Sequence, residues 1–123
     1  MAPDICQRLL DKVWRSYAND LDKAPQKEGI YAIGILENGD VRCIYVGQSN
    51  DIRRRLKEHK SQTLDIDKFV KQEFSKPNKG INLRIKWVEE ANAKCVEGNY
   101  LDCISKKLKY GGPDYNKKRG NQC

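Results

Sequence analysis

Between Gly29 and His59 the chain gathers two tyrosines, Tyr31 and Tyr45, an arginine, Arg55, and its only histidine, His59. A guanidinium offers a fork of donors that suits a phosphate. An imidazole titrates near neutrality and accepts protons readily. A phenol, with an ordinary pKa of about 10, accepts one only if a positive charge or a metal-bound water lowers that value. Together these groups could hold an anionic oxygen and move a proton beside it. Each also has a plainer role: tyrosine suits strand packing, and Arg55 could pair with Glu58 or Asp51 on a surface. Glu97 stands out further along, four residues before Leu101 in the apolar series Leu101, Ile104, Leu108. A carboxylate on that inward line is costly unless it is paired or bound to a metal; at the edge of the stripe it would be an exposed or capping glutamate.

These groups need elements to position them. Residues 29–59 read as two short apolar strands, a turn and a basic helix. Leu36 and Asp40 flank Glu37-Asn38-Gly39, and a three-residue hairpin loop ends on a left-handed residue that glycine adopts without steric cost. That register pairs 36 with 40 and 31 with 45, which sets the two phenols side by side on one face. The competing two-residue turn, Asn38-Gly39, slips the register by one and sends them to opposite faces; turn chemistry favours the first. Ser49, Asn50 and Asp51 signal the start of the helix. Ile52, Leu56 and His59 follow at i, i+4 and i+7, with Arg55 four residues before His59 along the same edge.

Elsewhere the pattern predicts a helix over residues 4–19, with Ile5, Leu9, Leu10, Val13, Trp14 and Tyr17 on one broad side, and a polar connection to Lys27. Thr63 to Asp67 supplies capping residues for a helix carrying Ile66, Phe69, Val70 and Phe74. After the turn Asn78-Lys79-Gly80, Ile81, Leu83, Ile85 and Trp87 alternate with Asn82, Arg84 and Lys86 as a half-buried third strand. A last helix runs from about Ala93 to Lys109, and the tail is rich in turn-forming and charged residues.

At 123 residues the chain has the size of one domain. No stretch approaches a membrane span or a signal peptide's apolar run, so a soluble, intracellular protein, nuclear or cytoplasmic, is expected. Five cysteines without a Cys-x-x-Cys pair, beside one histidine, exclude a zinc cluster and suggest reduced thiols. The net charge of +7 is unevenly placed. Five basic residues balance five acids through Glu28, whereas residues 53–60 hold five basic groups against Glu58 and residues 105–123 hold six against Asp114. Basic clusters flanking a candidate site suit a polyanion.

Gly29-Ile30-Tyr31, Tyr45-Val46-Gly47, Arg55, His59, Glu97 and the ending Pro113-Asp114-Tyr115-Asn116 occur in an order and spacing that resembles the GIY-YIG nuclease family, over residues 28–118. The resemblance implies an α/β fold of the α+β type, a three-stranded antiparallel sheet flanked by helices. Residues 28–119 would form the core, residues 1–27 a helix and linker packed on it, and residues 120–123 a disordered tail. It further implies a divalent-metal-dependent endonuclease acting on DNA, without a feature that excludes RNA, and with weak sequence specificity. Glu97 would hold one Mg²⁺ or Mn²⁺, and Tyr31 would be the general base, supported by Tyr45 and His59; His59, with an ordinary pKa of about 6.5, is the alternative base. Gly47, Gln48 and Asn116 would support the site, and Arg53, Arg54, Lys57, Lys60, Lys117 and Lys118 would contact nucleic acid. Gln48 departs from relatives such as the excision-repair nucleases, which place a lysine there. The competing expectations are a non-catalytic nucleic-acid-binding domain and a nuclease subunit that needs a protein partner for targeting.

Overall fold

The structure, a computed structural model, describes residues 4–107 and 113–116. The hairpin is its centre: β2 (Gly29–Glu37) and β3 (Asp40–Ser49) run antiparallel, and β4 (Leu83–Glu89) pairs with the other edge of β2. A two-residue strand β1 (Arg15–Ser16) adds a fourth member, in the order β1-β4-β2-β3. The three expected strands therefore form, together with a short edge strand that the helical reading of residues 4–19 had hidden.

The hairpin closes through the two-residue turn that turn chemistry had disfavoured. Asn38 and Gly39 both have positive φ, 51° and 85°, and Glu37 pairs with Asp40. Such a turn matches the right-handed twist of the flanking strands. Continued without interruption, it would pair Tyr45 with Ala32 and send the phenols to opposite faces. A β-bulge prevents this: Gly34 pairs with Cys43 but Ile33 with Tyr45, so Ile44 is the extra residue. Tyr31 then lies opposite Gly47, and Tyr45 takes the same face two residues along. The phenols share a face, as expected, but as diagonal rather than opposed neighbours.

The sheet is covered on both sides. On one, Tyr31, Ile33, Leu83 and Ile85 pack with Tyr17 of α2 (Tyr17–Asp20), Leu21 of the 3-10 turn Leu21–Lys23, Ile52 and Leu56 of α3 (Ile52–Glu58), and Ile66 and Val70 of α4 (Asp65–Ser75). On the other, Ile30, Ala32, Val46 and Val88 pack with Leu9 of α1 (Gln7–Leu10) and with Ala93, Tyr100, Leu101 and Ile104 of α5 (Ala93–Lys107). The N-terminal segment serves both layers, because Leu9 is buried on one side and Tyr17 on the other. One continuous helix cannot do that. The chain instead crosses the sheet edge at β1, and the Ser16 hydroxyl caps α2 by accepting from the Asn19 amide at 3.1 Å. Val13, assigned to the helix's apolar side, is 81% exposed at the crossing.

Two further expectations are corrected by this covering. Lys86, assigned to the solvent side of a half-buried strand, is only 5% exposed, donates to the carbonyls of Leu10 and Lys12 at 3.2 and 3.4 Å, and lies over the Trp14 ring. The N-terminal layer covers the face that alternation had given to water. Cys6 and Cys103, expected as thiols, form a disulfide across 97 residues with Cα atoms 5.8 Å apart, because α5 and the N-terminal segment share that layer. Among the described residues no helix is long and apolar enough to cross a membrane. Leu108, the expected end of the α5 stripe, and the 120–123 tail lie outside the described residues.

The Pro113–Asn116 segment binds the outer edge of β3. Tyr115 donates its amide to the Ile44 carbonyl, and the Asn116 side chain both accepts from the Val46 amide and donates to the Val46 carbonyl, each at 2.8 Å. Arg42 pairs with Asp114, and Tyr115 packs on Phe69 of α4 with centroids 5.4 Å apart. Asn116→Asp keeps the acceptor and loses the donor, whereas Asn116→Ala loses both. Urea unfolding should show the alanine variant destabilised by about 1–3 kcal/mol, with the aspartate variant departing from wild type as well.

Candidate active site

The strands deliver the phenols and the helices deliver what surrounds them. Tyr31 and Tyr45 have ring centroids 6.2 Å apart, and each ring meets the His59 imidazole edge-on, at 5.6 and 5.3 Å. Their closeness depends on Gly47. A Cβ on that residue would lie 2.5 Å from Tyr31 Oη and 2.8 Å from the Tyr45 ring, so only a residue without one leaves room for both. Gly29 serves the neighbouring helix in a similar way: a Cβ there would meet the Val88 carbonyl at 2.2 Å and Ile52 Cδ1 at 2.6 Å.

Helix α3 is anchored by its first turn and its apolar side. The Asp51 carboxylate accepts from the Arg54 amide at 3.0 Å, and the amides of Ile52 and Arg53 donate to the carbonyls of Lys27 and Pro25, each at 3.1 Å. The polar connection before β2 thus satisfies amides that a helix N-terminus could otherwise offer to a phosphate. Ile52 and Leu56 are buried, and the Tyr17 hydroxyl donates to the Leu56 carbonyl. His59, the C-cap, is wholly buried, with Nε2 2.6 Å from Tyr31 Oη and Nδ1 2.5 Å from Asp67 Oδ1. Asp67 is itself fully buried on α4 and was read from sequence only as a capping residue. Its signal was the one that exposed Glu97, a carboxylate on an inward helical line, here between Ile66 and Val70.

Burial pushes the Tyr31 hydroxyl well above the ordinary phenol value, and Tyr45, Tyr17 and Glu97 push in the same direction while the Arg55 charge opposes them. Tyr45, which is partly exposed, is also raised chiefly by burial and by Glu97, again against Arg55. Burial lowers His59, and Arg55 adds to that, while Asp67 holds it back. Arg55 and Glu97 therefore act on both phenols with opposite signs.

Arg55 also makes the surface pair considered for it, with Glu58 at 3.6 Å. Glu97 is half-buried on α5, one turn from Ala93 and one from Leu101. Gln48 pairs with Ile30 and lies on the other face of β3 from the phenols, where the departure from lysine does not touch them. Asn116 binds the backbone of Val46, beside Tyr45. Of the basic residues, Arg53 donates to the Ala24 carbonyl, Arg54 meets Asn50 and Glu58, Lys57 pairs with Asp22 at 3.6 Å, and Lys60 lies over the Phe74 ring. Lys117 and Lys118 lie outside the described residues. A cleft of about 470 Å³ runs along β4 between Arg8, Lys12, Arg15 and Trp87 and includes none of these site residues.

The model of the GIY-YIG catalytic domain matches residues 27–95, more than half of the chain. The chain belongs to the GIY-YIG family. Membership places it among nuclease domains, whose substrate is nucleic acid, and accounts for the mixed fold with an antiparallel sheet between helices. No curated protein and no solved structure matches the chain.

Two predictions follow from this GIY-YIG site. Gly47→Ala should lose about 1–3 kcal/mol in denaturant unfolding, because the added methyl meets the buried Tyr31 ring and the partly exposed Tyr45 ring. His59 titrates below its unfolded value of about 6.5, so the unfolded chain takes up a proton first as pH falls. Its contribution to stability is present above that pH and is lost as pH drops toward about 4, where the folded imidazole also protonates. Thermal melts between those pH values should show a steeper loss for wild type than for His59→Gln.

Proposed function

We propose that this chain is a divalent-metal-dependent endonuclease that hydrolyses phosphodiester bonds in DNA. The observation that carries the reading is the cluster itself: two phenols and an imidazole in contact, with a guanidinium and a carboxylate whose charges both bear on the phenols. Such a set can bind an anionic phosphate, deprotonate a water and stabilise the charge that develops.

Arg55 binds non-bridging phosphate oxygens, exchanging its loose contact with Glu58 for a charge-assisted pair. Tyr31 is the general base, and Tyr45, partly exposed on the same face, packs beside it. His59 is wholly buried and bonded to the Tyr31 hydroxyl, so that phenol is the group from which it takes a proton. The two candidate bases then act in series. The attacking water gives its proton to Tyr31 Oη as the Tyr31 proton passes to His59 Nε2; the hydroxide bonds to phosphorus, the bond to the leaving oxygen breaks, and that oxygen takes a proton from solvent.

Among the described residues no group of three or more His, Cys, Asp or Glu side chains could hold a metal. The donors present suit a single Mg²⁺ or Mn²⁺ with Glu97 as its one protein ligand and waters and substrate oxygens completing the shell. When bound, that ion supplies stabilisation of negative charge on the leaving oxygen. Arg54, Lys57 and Lys60 are exposed and make only surface contacts, which are weak enough to be exchanged for phosphates. Phosphate contacts carry no base information, which gives weak sequence specificity.

Supercoiled plasmid incubated with Mg²⁺ or Mn²⁺ tests the reading. Wild type should nick it, chelation should stop the reaction, and Tyr31→Phe, Arg55→Ala and Glu97→Ala should each slow it by about 10²–10⁴-fold. Wild type that binds DNA under these conditions yet never nicks it would identify a binding domain instead.

A further inference from the structure

The buried chain Tyr31–His59–Asp67 extends one residue beyond anything the motif assigns. We infer that Asp67 is a positioning residue, whose carboxylate fixes the tautomer of His59 so that Nε2 is left bare to take the Tyr31 proton. The inference rests on the reading of Tyr31 as base and deepens it.

The donor inventory carries the argument. With Asp67 Oδ1 as the acceptor of the 2.5 Å contact, the ring nitrogen Nδ1 carries the hydrogen between them. A neutral imidazole has one N–H, and Nε2 is then the acceptor for the Tyr31 hydroxyl at 2.6 Å. The second Asp67 oxygen is also committed, accepting from the Leu64 amide at 2.9 Å and closing the first turn of α4. With both oxygens engaged, and with Asp67 and His59 each fully buried, neither the carboxylate nor the ring has room to turn. A cap alone needs one oxygen at a helix end open to water. Here the other oxygen is aimed at the only histidine of the chain.

The groups facing His59 agree with this assignment. Tyr31 approaches from β2, Tyr45 from β3, Asp67 from α4, and Arg55 and Glu58 from α3 itself, while Tyr17 of α2 is tied to the Leu56 carbonyl. Burial, with the Arg55 charge adding to it, disfavours an imidazolium, so the resting ring is neutral and one tautomer must be chosen. When the Tyr31 proton arrives on Nε2, the imidazolium that forms already faces a carboxylate. The proton of the attacking water replaces it on Tyr31 Oη in the same step.

Asp67→Asn separates positioning from support. The Asn oxygen can still accept from Leu64, but its amide N–H now donates to Nδ1, which forces the ring proton onto Nε2 and removes the acceptor that Tyr31 needs. Because the chain has a single histidine, ¹⁵N NMR of the imidazole reads the tautomer without ambiguity. We expect the Nδ1–H form in wild type and the Nε2–H form in Asp67→Asn, with nicking slowed by about 10²–10⁴-fold in kcat and KM held within about threefold. An unchanged tautomer, or a changed tautomer with unchanged turnover, overturns the proposal. If Asp67→Asn does not fold, the wild-type spectrum decides by itself, since an Nε2–H ring there is incompatible with it. A wild type that shows the expected tautomer and a flip in the variant but never nicks DNA would remove the nuclease reading and leave the positioning geometry supported.

Discussion

One unpaired residue in the hairpin governs what the sheet can present. The Asn38-Gly39 turn gives a pairing in which Tyr45 would face α5 and Tyr31 would face α3. Ile44, the extra residue of the bulge, restores Tyr45 to the side of Tyr31, since each added residue in a strand inverts every side chain beyond it. The cluster of rings, its contact with the imidazole and the charge of Arg55 on both phenols all follow from that inversion. The Pro113–Asn116 segment bonds the backbone at Ile44 and Val46, the residues on either side of Tyr45, and so stabilises the distorted stretch from outside.

Burial then shapes the chemistry. Tyr31, His59 and Asp67 are all withdrawn from water, and among the described residues no buried side-chain nitrogen or oxygen lacks a partner. A network of this kind is stiff, because breaking any one bond strands a polar group in an apolar layer. The half-exposed members, Tyr45, Arg55 and Glu97, lie around it. In the proposed reaction, proton transfer falls to the buried members and substrate contact to the half-exposed ones, so that the reacting atoms would meet a preorganised environment.

Several features were legible because they depend on local pattern. The helix bearing Arg55 and His59 formed where Asp51 caps it, with Ile52 and Leu56 buried, and α4 and α5 buried most of the residues their spacing had singled out. Three of the misses share one cause, which is that a second layer was in the wrong place or absent from the reading. The N-terminal stripe looked like one helix until its apolar residues had to serve opposite sides of a sheet. Lys86 looked solvated until that segment covered it, and Cys6 and Cys103 looked unrelated until the same layer joined them. Asp67 was misread for a different reason: it does act at a helix start, and a capping role is sufficient to explain it until His59 is seen beside it.

By itself the sequence determined the order of the site residues, their placement two to a hairpin and two to a helix face, and the presence of a carboxylate on a later helix. Those properties follow from periodicity and from capping chemistry, which act over a few residues. Only the tertiary structure decided the face on which Tyr45 lies, the partner that holds His59 and the layer that buries Lys86. A bulge changes parity without changing composition, and contacts between distant segments are selected by packing across layers, which no local pattern encodes.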